Sequence, residues 1–265
     1  GLDVLAITDH DTAAGWAEAA SAANELGLSL VRGMEISTRH RGRGVHLLAY
    51  LPDPTHPALA DELARILTGR EARIPALLGR LRELGIDIDE DDVRRVSDDA
   101  AAMGRPHVAD ALVALGAVPD RDAAFATYLS AGRPAYVDRY AAPLVDMIQL
   151  VDQAGGASVV AHPWGRHERS SLDEETLADL QRVGLGGIEV DHQDHDDHAR
   201  KALRSIARNL DLVVTGSSDH HGLGKLGHDL GCNTTDPGEY ERLLDLAVTA
   251  AARSGCNTPA VVGEG

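Results

Sequence analysis

Short apolar runs that end in polar, chemically capable residues recur along the chain. Val4–Ile7 leads into Thr8-Asp9-His10, residues 158–161 into His162, 187–190 into Asp191-His192, and 212–215 into Ser217-Ser218-Asp219. Segments with apolar positions at helical spacing separate them. This alternation predicts parallel strand-helix-strand units, whose functional residues gather beyond the strand ends of a barrel-like α/β sheet. Residues 1–7, 28–32 and 45–51 read as strands and residues 13–26 as a helix. Pro52-Asp53-Pro54 then breaks the pattern.

From about residue 56 to residue 133 the pattern is helical. Leu63, Ile66, Ile74, Leu77, Leu78, Leu81 and Leu84 form one apolar face, and Gly85 is a helix stop. An inserted helical domain at 56–140 is therefore expected between a first barrel part, 1–55, and a second, 141–253. The small and polar residues 254–265 read as a flexible tail.

Composition narrows the partners. The 265 residues suffice for one large α/β domain with an insertion, and with aromatic residues at 3% the core must be built from Ala, Leu, Val and Ile. A formal charge of -17 disfavours broad capture of duplex nucleic acid, while a small anion can still bind at a local cationic site. Cys232 and Cys256 lie far apart, which fits a reducing cytoplasm better than a disulfide scaffold. No apolar run reaches the length of a membrane span.

His10, Glu35, His46, His162, Asp219 and His221 are imidazoles and carboxylates at or beyond the expected strand ends. Singly, each reads more readily as a hydrogen-bonded loop residue or helix cap. Their recurrence at one topological place makes a metal cage the better reading, and ligands without thiolate suit Mn²⁺, Zn²⁺ or Fe²⁺. Divalent ions there would support phosphoester hydrolysis.

Thr8-Asp9-His10-Asp11, Gly33-Met34-Glu35-Ile36-Ser37, His46 within Val45-His46-Leu47-Leu48-Ala49-Tyr50, Ala161-His162-Pro163 and Ser218-Asp219-His220-His221-Gly222 resemble, in order, the motifs of the polymerase and histidinol phosphatase (PHP) phosphoesterases. The resemblance implies a distorted (β/α)7 barrel holding up to three metals, usually Mn²⁺. It implies that His10, Glu35, His46, His162, Asp219 and His221 are ligands, with Glu35 bridging; Glu35, His162 and Asp219 stand as the catalytic residues. Asp9 and His220 fall in the motifs without being assigned as ligands. Such proteins open with a His-x-His pair and an Asp upstream of the strand at which this sequence starts. The expectation is therefore a barrel without its first strand, holding fewer metals and impaired in turnover.

The insertion narrows the resemblance. Arg70-Glu71-Ala72-Arg73-Ile74 and Gly104-Arg105-Pro106-His107 are similar to segments of members that hydrolyse nucleoside 3',5'-bisphosphates and trim short RNA from its 5' end. Arg70, Glu71, Arg73, Arg105, His107 and, beside the metals, His10 are the implied substrate-binding residues, with Arg70 and Arg105 offering paired donors to a phosphate. Without the resemblance, Arg70 and Arg73 would read as a solvated helix face and Pro106 as a helix N1 residue. His192, His195 and His198, interleaved with Asp194, Asp196 and Asp197, read as a helix-entry loop with His192 near the site. Lys225 is a surface lysine with some reach toward a phosphate, and Gly222, Gly224 and Gly227 do not make a nucleotide-binding motif. Two competing readings remain: a histidinol-phosphatase-like enzyme, which would not need the insertion, and a remnant that binds metal or nucleotide without turnover.

Overall fold

The computed structural model describes residues 1–97, 103–165, 172–222 and 227–263, so Lys225 and Gly224 lie outside the described residues. The chain divides into two compact units, Gly1–Leu63 with Ala142–Gly265, and Ala64–Ala141.

The first unit carries the sheet. β1 (Val4–Ile7) pairs in parallel with β2 (Ser29–His40), Val4 opposite Ser29, across helix α1 (Trp16–Leu26). Gly27 ends α1 at φ 65, a left-handed cap that costs glycine little. β2 then turns at Arg41 and Gly42, with φ of 47 and 80, into β3 (Arg43–Tyr50). Two residues in that conformation make a hairpin and leave no room for a crossover, so β3 runs antiparallel to β2. It is also antiparallel to β5 (Ala157–Val160). The parallel alternation expected from the sequence holds for β1–β2 and resumes from β5 to β6 (Gly187–Asp191) and β7 (Val213–Gly216), but β3 departs from it.

The sheet order is β1-β2-β3-β5-β6-β7, with the two-residue β4 (Ala142–Pro143) beside β2. Glu35 and His46 consequently lie inside strands, not at their ends as the run lengths suggested, because β2 continues to His40. Helices α6 (Leu144–Gln153), α7 (Glu174–Arg182), α8 (Asp197–Asn209) and α9 (Pro237–Ser254) complete this unit. Val31, Leu48, Val159 and Val213 of the sheet bury against Leu243 and Ala247 of α9, the aliphatic core that scarce aromatics demand. Described residues after α9, where a flexible tail was expected, include tethered positions. Leu30 and Val262 exchange two backbone hydrogen bonds of 3.0 Å, and Asn257 N–H donates to Asp53.

The second unit is helical. α2 (Pro57–Glu83) starts in the first unit and continues into it, followed by α3 (Glu90–Arg95), α4 (Arg105–Ala114), α5 (Arg121–Ala124) and a π-helical turn, Phe125–Leu129. Gly85 closes α2 at φ 84, while Ile86 N–H donates to Leu81. Ile74, Leu77, Leu78, Leu81, Val108 and Leu112 form its core. Among the described residues no helix is long and apolar enough to cross a membrane.

Gly187 shows how tightly β6 meets β7. A Cβ there would sit 2.6 Å from the Val213 carbonyl oxygen, which belongs to the sheet backbone and has little freedom to move. Gly187→Ala is expected to lower stability by about 1–3 kcal/mol, as overpacking does. Gly44→Ala, exposed with nothing within 4 Å, should stay within about 0.5 kcal/mol of the parent. Denaturant midpoints check both, and a Gly187→Ala midpoint equal to that of Gly44→Ala would contradict this packing.

Candidate metal centre

Glu35 is the centre of the first cluster. β1 runs on as a loop that rejoins β2: Glu35 N–H donates to Asp9 O, and Asp11 N–H to Glu35 O, both at 3.1 Å, which sets His10 beside Glu35. The hairpin register puts His46 opposite Ser37 and Leu48 opposite Glu35, so His46 and Glu35 are diagonal neighbours on one face. His46 Nδ1 lies 2.6 Å from Glu35 Oε1, His162 Nε2 3.4 Å from the same oxygen, and His10 Nδ1 3.6 Å from Oε2. The His46 approach is not aligned as a hydrogen bond. A buried ring nitrogen so placed is satisfied by a cation.

Burial alone would raise the Glu35 carboxyl, but the charges of the His46 and His10 imidazoles and the hydrogen bond from His162 hold it well below the usual carboxylate range. Burial pulls His162 down, and the hydrogen bond and charge of Glu35, with Glu189 and Asp219, carry it above the usual imidazole range. Negative charge is thus fixed where several nitrogen donors meet. Glu35, His10 and His46 present ligand atoms within 4.8 Å of one another, a set that fits a divalent ion.

A second cluster forms around Asp219, three residues beyond β7. Here the gathered ligand atoms belong to His192, Asp219 and His228, again within 4.8 Å. His192 Nε2 lies 3.3 Å from Asp219 Oδ2, and His221 Nδ1 lies 3.3 Å from Oδ1 and 2.9 Å from the Asp219 carbonyl. The rings of His162 and His192 are 4.9 Å apart, so the two clusters adjoin. His221, half exposed, reaches the ring of His10 at 6.0 Å. The structure brings the six expected residues into these two adjoining clusters, and the tighter group around Asp219 contains His192 and His228.

His228 and Glu189 were missed. Glu189, 2% exposed, accepts the His162 backbone N–H at 3.0 Å, and its carboxyl is pushed up to about 8 by burial first and by Glu35 and Asp219. A carboxylate in an apolar strand was the available signal, since such a group is rarely buried without a partner. His228 sits in a glycine-rich loop, where periodicity says nothing. Asp9 enters through its backbone, and His220, exposed, contacts the His228 carbonyl at 2.9 Å.

Backbone strain concentrates here. Asp11, His162 and Asp219 have φ of 60, 30 and 47, in the left-handed region. Asp11 is held there by Ser37, whose N–H and hydroxyl donate to its carboxylate at 2.6 and 2.9 Å. The expected helix-entry loop is observed: Asp196 caps α8 by accepting Ala199 N–H.

The remaining expected residues lie in the helical unit. Arg73 is 8% exposed and its Nε has no hydrogen-bond partner. The guanidinium groups of Arg73 and Arg105 lie 5.3 and 5.7 Å from the Tyr136 ring centroid. Burial, then the charges of Arg105 and Arg139, lower Arg73 to about 10. A desolvated cation among cations is stabilised by an anion. His107 accepts Gly104 N–H at 3.0 Å through Nδ1, so its Nε2 carries the proton and can donate. Arg70 is half-buried and Glu71 exposed.

No family model matches the chain. It is 38% identical to a 3',5'-nucleoside bisphosphate phosphatase from Chromobacterium violaceum over 86% of this chain and 80% of that protein. Identity is 33% to a 5'-3' exoribonuclease from Haemophilus influenzae, over 83% and 80%. It is 35% to a phosphoribosyl 1,2-cyclic phosphate 1,2-diphosphodiesterase from Eggerthella lenta, over 86% and 87%. The crystal structure of a protein described as a metal-dependent phosphoesterase, from Bifidobacterium adolescentis, matches with a TM-score of 0.86 at 37% identity, covering 93% of this chain and 86% of that one. With this fold and an imidazole-carboxylate cluster at its centre, the chain belongs to the PHP family of metal-dependent phosphoesterases.

Proposed function

We propose that the chain removes the 3'-phosphate of nucleoside 3',5'-bisphosphates and trims short 5'-phosphorylated RNA. The observation that carries this reading is the convergence of His10, His46 and His162 on the buried Glu35 carboxylate. The named activities of the Chromobacterium and Haemophilus relatives support the substrate class. His10, Glu35, His46, His162, Asp219 and His221 are assigned as ligands, and Mn²⁺ as the ion. Divalent ions supply neutralisation of the phosphate and acidification of a bound water. Glu35, held anionic, would hold the ions together with His162 and Asp219, and these three are assigned as the catalytic residues.

The cationic cluster of the helical unit is assigned to the substrate's 5'-phosphate. Arg73 and Arg105 supply charge-assisted donors near Tyr136, with Arg70 and His107 beside them in sequence. A phosphate there would give the buried Arg73 Nε a partner.

Glu35→Gln and His162→Ala are expected to lose bound metal under Mn²⁺-replete conditions, measured by elemental analysis. Metal content equal to the parent in both would overturn the ligand assignment. For substrate class, kcat/KM for a 3',5'-bisphosphonucleotide should exceed that for the matching 3'-monophosphate by about 10- to 100-fold, the worth of a charge-assisted phosphate contact. Arg105→Ala should erase most of that gap. Equal kcat/KM would sink the 5'-phosphate assignment, and preference for histidinol phosphate or a ribosyl 1,2-cyclic phosphate would replace the substrate class. Calorimetric binding of the bisphosphate without phosphate release would favour the non-catalytic reading.

A further inference from the structure

His192 is 0% exposed and lies against Asp219, a proximity that invites reading His192, Asp219 and His228 as one ion site. The ring's other contact argues otherwise. The Asp194 backbone N–H donates to His192 Nδ1 at 3.0 Å, and this uses the Nδ1 lone pair. A neutral imidazole then carries its proton on Nε2, the nitrogen that faces Asp219 Oδ2 at 3.3 Å. To ligate an ion through Nε2 the ring would have to lose that proton and become an imidazolate.

His228 has the opposite arrangement. Its Nδ1 lies 2.8 Å from the Ser218 carbonyl, which can only accept, so Nδ1 carries the proton and Nε2 keeps its lone pair. His221 is placed alike, with Nδ1 2.9 Å from the Asp219 carbonyl. These two rings can ligate as neutral imidazoles, and His192 cannot.

The surroundings of His192 fix it further. The β6–β7 register shifts between Glu189 and Asp191, and this bulge re-aims the residues that follow. His192 N–H donates to Val190 O at 3.1 Å, and Arg200 from α8 donates to the His192 carbonyl at 2.7 Å. The ring has little freedom to turn its Nδ1 toward Asp219.

We propose that His192 is a positioning residue that donates from Nε2 to Asp219 and aims this carboxylate at the cation, and that it is not itself a ligand. This rests on Asp219 being a metal ligand, as the proposed function has it. Partners that orient a ligating group change metal affinity on the order of 10- to 100-fold when removed, while the ligand count stays the same.

The test uses the whole chain. His192→Phe keeps the ring and removes the donor, whereas His192→Gln keeps an N–H near the Nε2 position. At saturating Mn²⁺, both variants should hold as many ions per chain as the parent. The Phe variant should need on the order of 10- to 100-fold more free Mn²⁺ for half-occupancy, and the Gln variant should recover most of that loss. Loss of an ion at saturation in both variants would make His192 a ligand and overturn the proposal, as would parent-like affinity in a folded Phe variant. Nitrogen NMR of the parent gives a readout independent of any variant's folding. The His192 resonances should report a proton on Nε2 with and without Zn²⁺, and an unprotonated, metal-shifted Nε2 would refute the assignment. If instead the parent bound no divalent ion, or Asp219→Asn bound it as the parent does, the underlying metal reading would fail first.

Discussion

The structure depends on keeping one carboxylate charged in a place from which water is largely excluded. Glu35 lies within a β-strand, 7% exposed, where an isolated carboxylate would take up a proton instead of ionising. His46 and His10, with the hydrogen bond from His162, reverse that preference. Each of these rings comes from a different part of the chain. The loop after β1, the hairpin and the loop after β5 must therefore all be formed before the charge is compensated.

This requirement explains the reversed strand. A parallel β3 would place His46 a long crossover away from Glu35, whereas the two-residue turn at Arg41 and Gly42 fixes a diagonal pair within one hairpin. The remaining strands deliver their polar residues beyond their ends, where loops tolerate the left-handed conformations of His162 and Asp219.

Much of this was legible in the sequence because apolar runs and metal-binding side chains leave different traces. The runs at 4–7, 158–161, 187–190 and 212–215 are short and lead into segments that carry His or Asp, and each coincides with a strand to within one residue. The helical insertion announced itself through Leu and Ile at helical spacing. Direction was not legible for β3, since a strand's hydrophobic pattern is the same read either way and only the tight turn decides. Within the site, His10, Glu35, His46 and His162 were recoverable from their residue types and motifs. His228 was not, because a loop has no periodicity to depart from. Glu189 could have been found as a charge in an apolar run, and the tautomer of His192 depends on a backbone N–H two residues away that no pattern encodes.

The left-handed residues of the site have a consequence for anyone seeking a sturdier protein. At Asp11, His162 and Asp219 glycine would adopt the backbone more cheaply, by about 1–3 kcal/mol for each sparsely populated conformation. A screen that rewards thermal tolerance alone would drift toward erasing His162 and Asp219, two of the proposed ligands. Selection for both traits at once would have to find its gains elsewhere, in the aliphatic layers and the helix caps.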